Sequence, residues 1–218
     1  NFNLLSRITR NVRHVKDFNQ LPTPFLCIGT NIETGEQVLL NKGNLAQAML
    51  ASAAFPSLFS PIEIDGALLV DGGVANNYPI EEVRKLGADI IIGVDVQDDL
   101  MDRKELKNAT KILVQITNLQ SIAKMKNKIV DTDIYINPDI KNYGVISFDK
   151  GKEIIRKGEE AAFSVYEKLL LVANKQDVYQ KPKLKLVTDT LQIEKININN
   201  LNNFTEDYVV GKLRFKED

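Results

Sequence analysis

A carboxylate and two glycines, Asp71-Gly72-Gly73, close an apolar run, Ala67-Leu68-Leu69-Val70. That order describes an acid delivered by a strand onto a turn that bends sharply. Two readings fit it. Asp71 can simply open a turn, because Asp offers a side-chain acceptor and Gly takes positive φ at no steric cost; or the acid serves a site, and the flanking elements decide which. The other residues with chemical potential are few. His14 is the single histidine and stands among Arg10, Arg13 and Lys16, with neither a carboxylate nor a nucleophile beside it, so a structural or solvated role is expected. A Ser-His-Asp triad therefore requires a histidine from chain outside these residues. Cys27, the single cysteine, lies in an apolar run; it excludes an internal disulfide or a Cys-based zinc cluster and is expected as a small buried hydrophobe.

The totals bound the answer without choosing it. A chain of 218 residues, 44% apolar and 26% charged, is long enough to bury a real core. Its net charge of −1 gives no broad pull toward nucleic acid, and no nucleic-acid partner is expected. No window approaches the ~18 consecutive apolar residues of a membrane-spanning helix. The chain opens Asn1-Phe2-Asn3 without a Met and runs into helical periodicity, so it reads as an internal piece of something longer.

The elements that must position Asp71 follow from periodicity. Leu4, Leu5, Ile8, Val12, Val15 and Phe18 predict a surface helix over residues 2–18 with one buried stripe. Phe25 to Asn31 predicts a strand covered on both faces, and Gln37 to Leu40 a second. Asn44 is a plausible N-cap for a helix through Ala54 whose small residues allow close approach to a neighbouring backbone. Asp65-Gly66 between Ile62–Ile64 and Ala67–Val70 is a hairpin signal. Pro79 suits the first position of a helix with Glu81 and Glu82 in its first turn. Residues 89–96 predict a buried strand, 103–130 a helix with a solvated face of Lys and Asn, 134–136 a short strand and 147–176 a second long helix. Helix leading quickly into strand suggests an α/β domain with a mostly parallel sheet over residues 1–180. From Lys181 the texture changes: alternation over 183–187 and 191–198, an Asn-rich turn, and Thr205 as N-cap of a helix through Leu213. Residues 181–218 are expected to begin a second, α+β unit.

This order of motifs resembles the C-terminal half of patatin-like phospholipases. The matching segments are Gly43 to Leu45 with Ala48, Ala51-Ser52-Ala53-Ala54-Phe55-Pro56, Phe59 with Pro61, Asp71-Gly72-Gly73-Val74 with Asn77 and Pro79, and Ile90 to Val94; Asn137-Pro138-Asp139, Phe148-Asp149, Gly158 and Ala161-Ala162 look like the bacterial branch. The resemblance implies a three-layer α/β-hydrolase-type domain, present here in part, and a Ser-Asp dyad acting on phospholipid or other lipid esters at a membrane surface without cofactor or metal. Asp71 would be the base that activates the serine, with Gly72, Gly73, Asn77, Pro79, Ser52, Phe55 and Pro56 supporting the site. The serine of a G-x-S-x-G elbow and the glycine-rich oxyanion loop do not occur in these 218 residues, so the chain is expected to carry the base-bearing half and to be inactive alone. Thr30-Asn31 departs from a common Thr-Asp of the family, and nothing catalytic is assigned there.

Leu191 to Ile198, the Asn-rich turn and the Thr205 helix look like the start of a POTRA domain. Patatin-like and POTRA domains in that order resemble bacterial outer-membrane proteins, which implies a cell-envelope location, with a cytoplasmic one as the alternative. The rival functional reading is a non-catalytic patatin-fold binding or secretion module. Oligomeric state stays open.

Overall fold

The computed structural model describes residues 2–97, 99–144, 147–176, 195–198, 201 and 204–213. It divides into two compact units, Asn1–Leu184 and Lys185–Asp218. The first is mixed α/β. Its elements run α1 (Phe2–Ile8), β1 (Cys27–Asn31), β2 (Gln37–Leu40), α2 (Leu45–Ser52), β3 (Ile62–Ile64), β4 (Ala67–Asp71), α3 (Gly73–Asn76), α4 (Ile80–Lys85), β5 (Ile92–Val94), α5 (Ala109–Val130), β6 (Ile134–Ile136), α6 (Gly151–Ser164) and α7 (Tyr166–Lys175).

The sheet corrects the expectation of mostly parallel pairing. Four strands in the order β2-β1-β4-β3 form an antiparallel sheet, and only β5 and β6 pair in parallel. Hairpins account for two of the three antiparallel pairs, and β1 with β4 is the long-range third. Both hairpins close within a few residues, and a short connection allows only antiparallel neighbours. Asp65 and Gly66 take φ of 52° and 79°, the left-handed pair that the twist of a two-residue hairpin requires, so β3 and β4 pair with Ile64 opposite Ala67.

The core under this sheet is Phe18, Leu40, Ala48, Ala51 and Leu69. Leu69 and Ala51 are completely buried, and a buried Leu side chain contributes about 1.5–3 kcal/mol. Asn44 caps α2 by accepting from the Gln47 N–H at 3.1 Å. The small face of α2 then does what its composition suggested. Ala46, Ala48 and Ala51, and Ala54 just beyond the helix, are all buried, and carbonyls at its C-terminal end reach the backbone that follows β4.

A second cluster joins Tyr78, Ile80, Ile91 and Met125. Here α5 differs from its predicted face. Lys128 is buried, whereas Ile112, Ile116 and Leu119 are exposed. The buried ammonium is stable because its Nζ donates to Asn76 Oδ1 at 2.6 Å and the Tyr78 carbonyl at 2.7 Å, with Glu81 at 3.5 Å. Asn76 in turn donates to Gln37 Oε1 and to the buried Glu82 carboxylate.

Other boundaries also move. The predicted helix over 2–18 is α1 followed by single 3-10 turns at Arg10–Val12 and Phe18–Gln20, and α1 buries no residue; Thr9 hydrogen-bonds back to the Leu5 carbonyl and the Asp17 side chain caps the later turn instead of continuing a helix. The segment through β5 buries Ile91, Gly93 and Asp95 on one side and leaves Ile90, Ile92, Val94 and Val96 exposed on the other. The helix predicted over 103–130 starts at Ala109, where Asn108 caps it through the Lys111 N–H. The one predicted over 147–176 is two helices meeting at Val165. In the second unit Thr205 caps α8 (Glu206–Val210) through the Tyr208 N–H at 3.3 Å, and the Phe204 and Tyr208 rings stack at 5.2 Å. The alternation predicted over 183–187 and 191–194 lies outside the described residues. Residues 195–198 carry no regular secondary structure, since among the described residues no strand pairs with them.

The closest approach of a glycine to another strand's backbone lies just past the end of β4. A side chain on Gly72 would stand 2.1 Å from the Ile28 carbonyl oxygen of β1, a backbone atom held in a four-stranded sheet. Gly72→Ala is therefore expected to lower stability by about 1–3 kcal/mol by overpacking, read as a lower urea midpoint; an unchanged midpoint would show that β1 and β4 can part without cost.

Candidate active site

Asp71 is the last residue of β4, and six hydrogen bonds of its backbone, its carboxylate and the residues around it fix it. Its N–H donates to the Ala54 carbonyl at 3.0 Å, and the following Gly72 N–H to the Ser52 carbonyl at 3.3 Å, so the end of α2 holds the strand end. The buried Thr30 hydroxyl donates to the Asp71 carbonyl at 2.8 Å and accepts from the Ala75 N–H at 3.2 Å. Thr30 thereby ties β1, β4 and α3 together through one oxygen. The Gly73 N–H donates to Asp71 Oδ1 at 2.7 Å, and Ser121 of α5 donates to the Gly73 carbonyl at 3.1 Å.

The carboxylate has a divided environment. Oδ1 is engaged by Gly73, while Oδ2 has no hydrogen-bond partner among the described residues. Burial raises the Asp71 pKa above its ordinary 3.8, and the Gly73 hydrogen bond offsets only part of that. Desolvation disfavours the charged form, so the group is a stronger base than a free aspartate. It lines a cavity of about 180 Å³ whose walls include Phe55, Val96, Gln97, Val114 and Asn118.

The site residues expected from the sequence distribute unevenly around this cavity. Asp71, Gly73, Asn77 and Phe55 line it. Asn77 folds over the turn, with its Oδ1 2.7 Å from where a Gly73 side chain would start. Gly72 lies beneath, against Ile28. Ser52 is the last residue of α2, near the Cys27 thiol, which donates to the Leu40 carbonyl at 3.9 Å and whose pKa is pushed up to about 11 chiefly by burial. Pro56 is in the turn that follows Phe55, where the Phe55 carbonyl accepts from Leu58 and Phe59. Pro79 stands one residue before α4 as its N-cap and lines a different hollow beside β5. His14 is exposed. Among the described residues no group of three His, Cys, Asp or Glu side chains is arranged to hold a metal ion, and no helix is long and apolar enough to cross a membrane.

Two contributors carried no local signal. Thr30 sits inside an apolar strand run, where a lone hydroxyl reads as strand propensity. Gln97, from the segment after β5, and Thr117 and Asn118, from α5, are brought to the cavity by the tertiary fold, α5 packing on α3.

Residues 7–84 match the family model described as patatin-like phospholipase. An uncharacterised NTE family protein of Mycobacterium tuberculosis H37Rv is 36% identical over 77 residues, covering 35% of this chain and 21% of that protein. Lysophospholipase NTE1 of Meyerozyma guilliermondii is 28% identical over 159 residues, and that of Saccharomyces cerevisiae 27% over 159, each covering 62% of this chain and 11% and 10% of those proteins. These matches, and the mixed α/β fold, support the patatin-like phospholipase family for this chain. It spans about a fifth of the length of the mycobacterial relative and about a tenth of the yeast ones.

The raised Asp71 pKa makes a stability prediction. A group whose folded pKa exceeds the unfolded one stabilises fully below the unfolded value, here 3.8, and that contribution is lost as pH rises through the folded pKa. Asp71→Asn keeps an acceptor for Gly73 and removes the buried charge. Its Tm at pH 7 is expected to equal or exceed that of the unsubstituted protein, with the gap narrowing as pH falls toward 3.8. A lower Tm for the variant at pH 7 would show that the ionised carboxylate is net stabilised.

Proposed function

We propose that the protein containing this chain is a lipid acyl hydrolase in which Asp71 is the general base of a Ser-Asp dyad, the serine coming from outside residues 1–218. The observation that carries this reading is the strand-end carboxylate, partly desolvated and with one oxygen unbonded among the described residues, facing a cavity walled there by apolar and neutral polar side chains. The family match over residues 7–84 and the yeast relatives named lysophospholipases supply the substrate class, a phospholipid or related lipid ester met at a membrane surface.

The chemistry follows from that geometry. Asp71 Oδ2 accepts the serine hydroxyl proton as the serine oxygen bonds to the ester carbonyl carbon. The protonated Asp71 then gives that proton to the leaving alcohol as the C–O bond breaks. In the second half Asp71 takes a proton from water, whose oxygen attacks the acyl-serine, and the fatty acid leaves as the proton returns to serine. A base that exchanges protons twice works best when its pKa is lifted toward the working pH, and burial does that here. The Gly73 N–H fixes the carboxylate plane, and Thr30 fixes the backbone that carries it.

The two-unit division, with the Thr205-capped helix α8 in Lys185–Asp218, supports reading the tail as the start of a POTRA-like unit, and with it a cell-envelope location.

In the full-length protein, Asp71→Ala and Asp71→Asn are expected to lower kcat for a long-chain lysophospholipid ester by roughly 10²–10⁴-fold while remaining folded. Full hydrolysis by either folded variant would end the assignment. The isolated 218 residues are expected to show no turnover, and turnover by them would mean that the nucleophile lies within the chain.

A further inference from the structure

We propose that the outward face of α5 is a docking surface for an anionic lipid bilayer, the helix lying along the membrane plane beside the Asp71 cavity. This surface is independent of the role given to Asp71. On α5, Ile112, Ile116, Leu119 and Val130 are 45%, 59%, 47% and 83% exposed. At 3.6 residues per turn these four and the exposed Ala123 fall within a sector of about 60°. The buried Ser121, Met125 and Lys128 fall on the opposite side, where Ser121 and Lys128 hold the helix to the Gly73 and Tyr78 carbonyls. The face read from the sequence as solvated Lys and Asn thus carries a stripe of large apolar side chains, and such a stripe on a surface marks an interaction site.

The charge on the same helix selects the occupant. α5 holds Lys111, Lys124, Lys126 and Lys128 and neither Asp nor Glu, in a chain whose net charge is −1. Lys111 and Lys126 are exposed, and Lys126 falls at the edge of the apolar sector. The nearest acids in sequence lie beyond the helix ends. Asp102 and Glu105 spend their carboxylates on backbone N–H groups of their own turn, and Asp131 follows the last helical residue. An apolar stripe edged by lysine matches a surface with an oily interior and anionic headgroups: Ile and Leu enter the acyl boundary while the ammonium groups stay at headgroup level. The ridge of a single helix meets such a plane along its whole length.

The stripe is also joined to the cavity. α5 walls that cavity through Val114, Thr117 and Asn118. Gln115 ties the segment past β5 to the same helix: the Met101 N–H donates to Gln115 Oε1 at 2.9 Å, and Gln115 Nε2 donates to the Met101 carbonyl at 3.2 Å. That segment carries Leu100, which is exposed, and Val96, which lines the cavity and is itself exposed. Exposed apolar side chains therefore continue from the cavity lining to the flank of α5, so a lipid leaving a bilayer seated there meets the cavity at Val96.

The test is co-sedimentation of the full-length protein with vesicles of POPC alone and of POPC containing roughly one-third POPG. The unsubstituted protein is expected to partition about 10-fold or more in favour of the anionic vesicles, and added salt shrinks that preference. Ile116→Gln with Leu119→Gln, and separately Lys111→Gln with Lys126→Gln, each lower partitioning onto the anionic vesicles by about 10-fold or more, and the lysine pair also flattens the salt dependence. Glutamine suits a helix, and an unchanged urea midpoint shows that each variant is folded. Partitioning that is absent, equal on both vesicles, or unchanged in either folded pair overturns the proposal. A midpoint lowered by Ile116→Gln with Leu119→Gln overturns it too, because another part of the chain then covers the stripe; a dimer dissociated by that pair overturns it in favour of a second copy. Hydrolysis of the water-soluble ester p-nitrophenyl butyrate keeps this inference apart from the dyad reading. The α5 variants retain it, whereas Asp71→Asn loses it if Asp71 is the base, and either result can fail without the other.

Discussion

The close approach of Gly72 to the Ile28 carbonyl sets the position of everything that matters around Asp71. A Cβ at residue 72 would overlap that oxygen, so only glycine lets β4 end hard against β1. With the backbones that close, the Thr30 hydroxyl can reach the Asp71 carbonyl and the Ala75 N–H at once. The alanine face of α2 then comes near enough for the Ala54 and Ser52 carbonyls to accept from residues 71 and 72. One missing methyl thus permits a set of hydrogen bonds that no single element could make. Each bond is individually modest. Together they leave the acid one geometry, the preorganisation that a catalytic group needs.

Much of this arrangement was legible because its signals are local. Asp65-Gly66 specifies a hairpin through two φ angles, and Asn44 and Thr205 are helix caps through their own side chains. Asp71 after an apolar run followed by glycines was readable for the same reason. What escaped was set by distant partners. Strand direction depended on which neighbour each strand found, and the short hairpins supplied antiparallel ones. Thr30 matters through residues 41 and 45 positions away, and Lys128 is buried through Asn76 and Tyr78. No window of sequence contains both ends of those contacts. The exposed face of Ile90, Ile92, Val94 and Val96 belongs with them: an apolar run identifies a strand but not which of its faces is covered.

Two ionisable groups on either side of α3, Lys128 buried and Asp71 half-buried, show how differently the fold treats charge. Lys128 donates to two oxygens and has a carboxylate nearby, so its charge is matched and its task is to hold α5 to the segment after α3. Asp71 is treated otherwise. It receives one N–H on one oxygen, and its cavity is lined by neutral Asn77, Gln97, Thr117 and Asn118 with no cation among them. A lysine or arginine there would stabilise the carboxylate and lower its basicity, as the Ile91 N–H and then Arg84 do for Asp133 at the surface. Leaving Asp71 unmatched costs stability and keeps it able to accept a proton. A structure built for stability alone would pair that acid. The pairing of Lys128 in the same unit sets off the under-pairing of Asp71 among the described residues, and under the proposed reading that under-pairing is what keeps the aspartate able to act as a base.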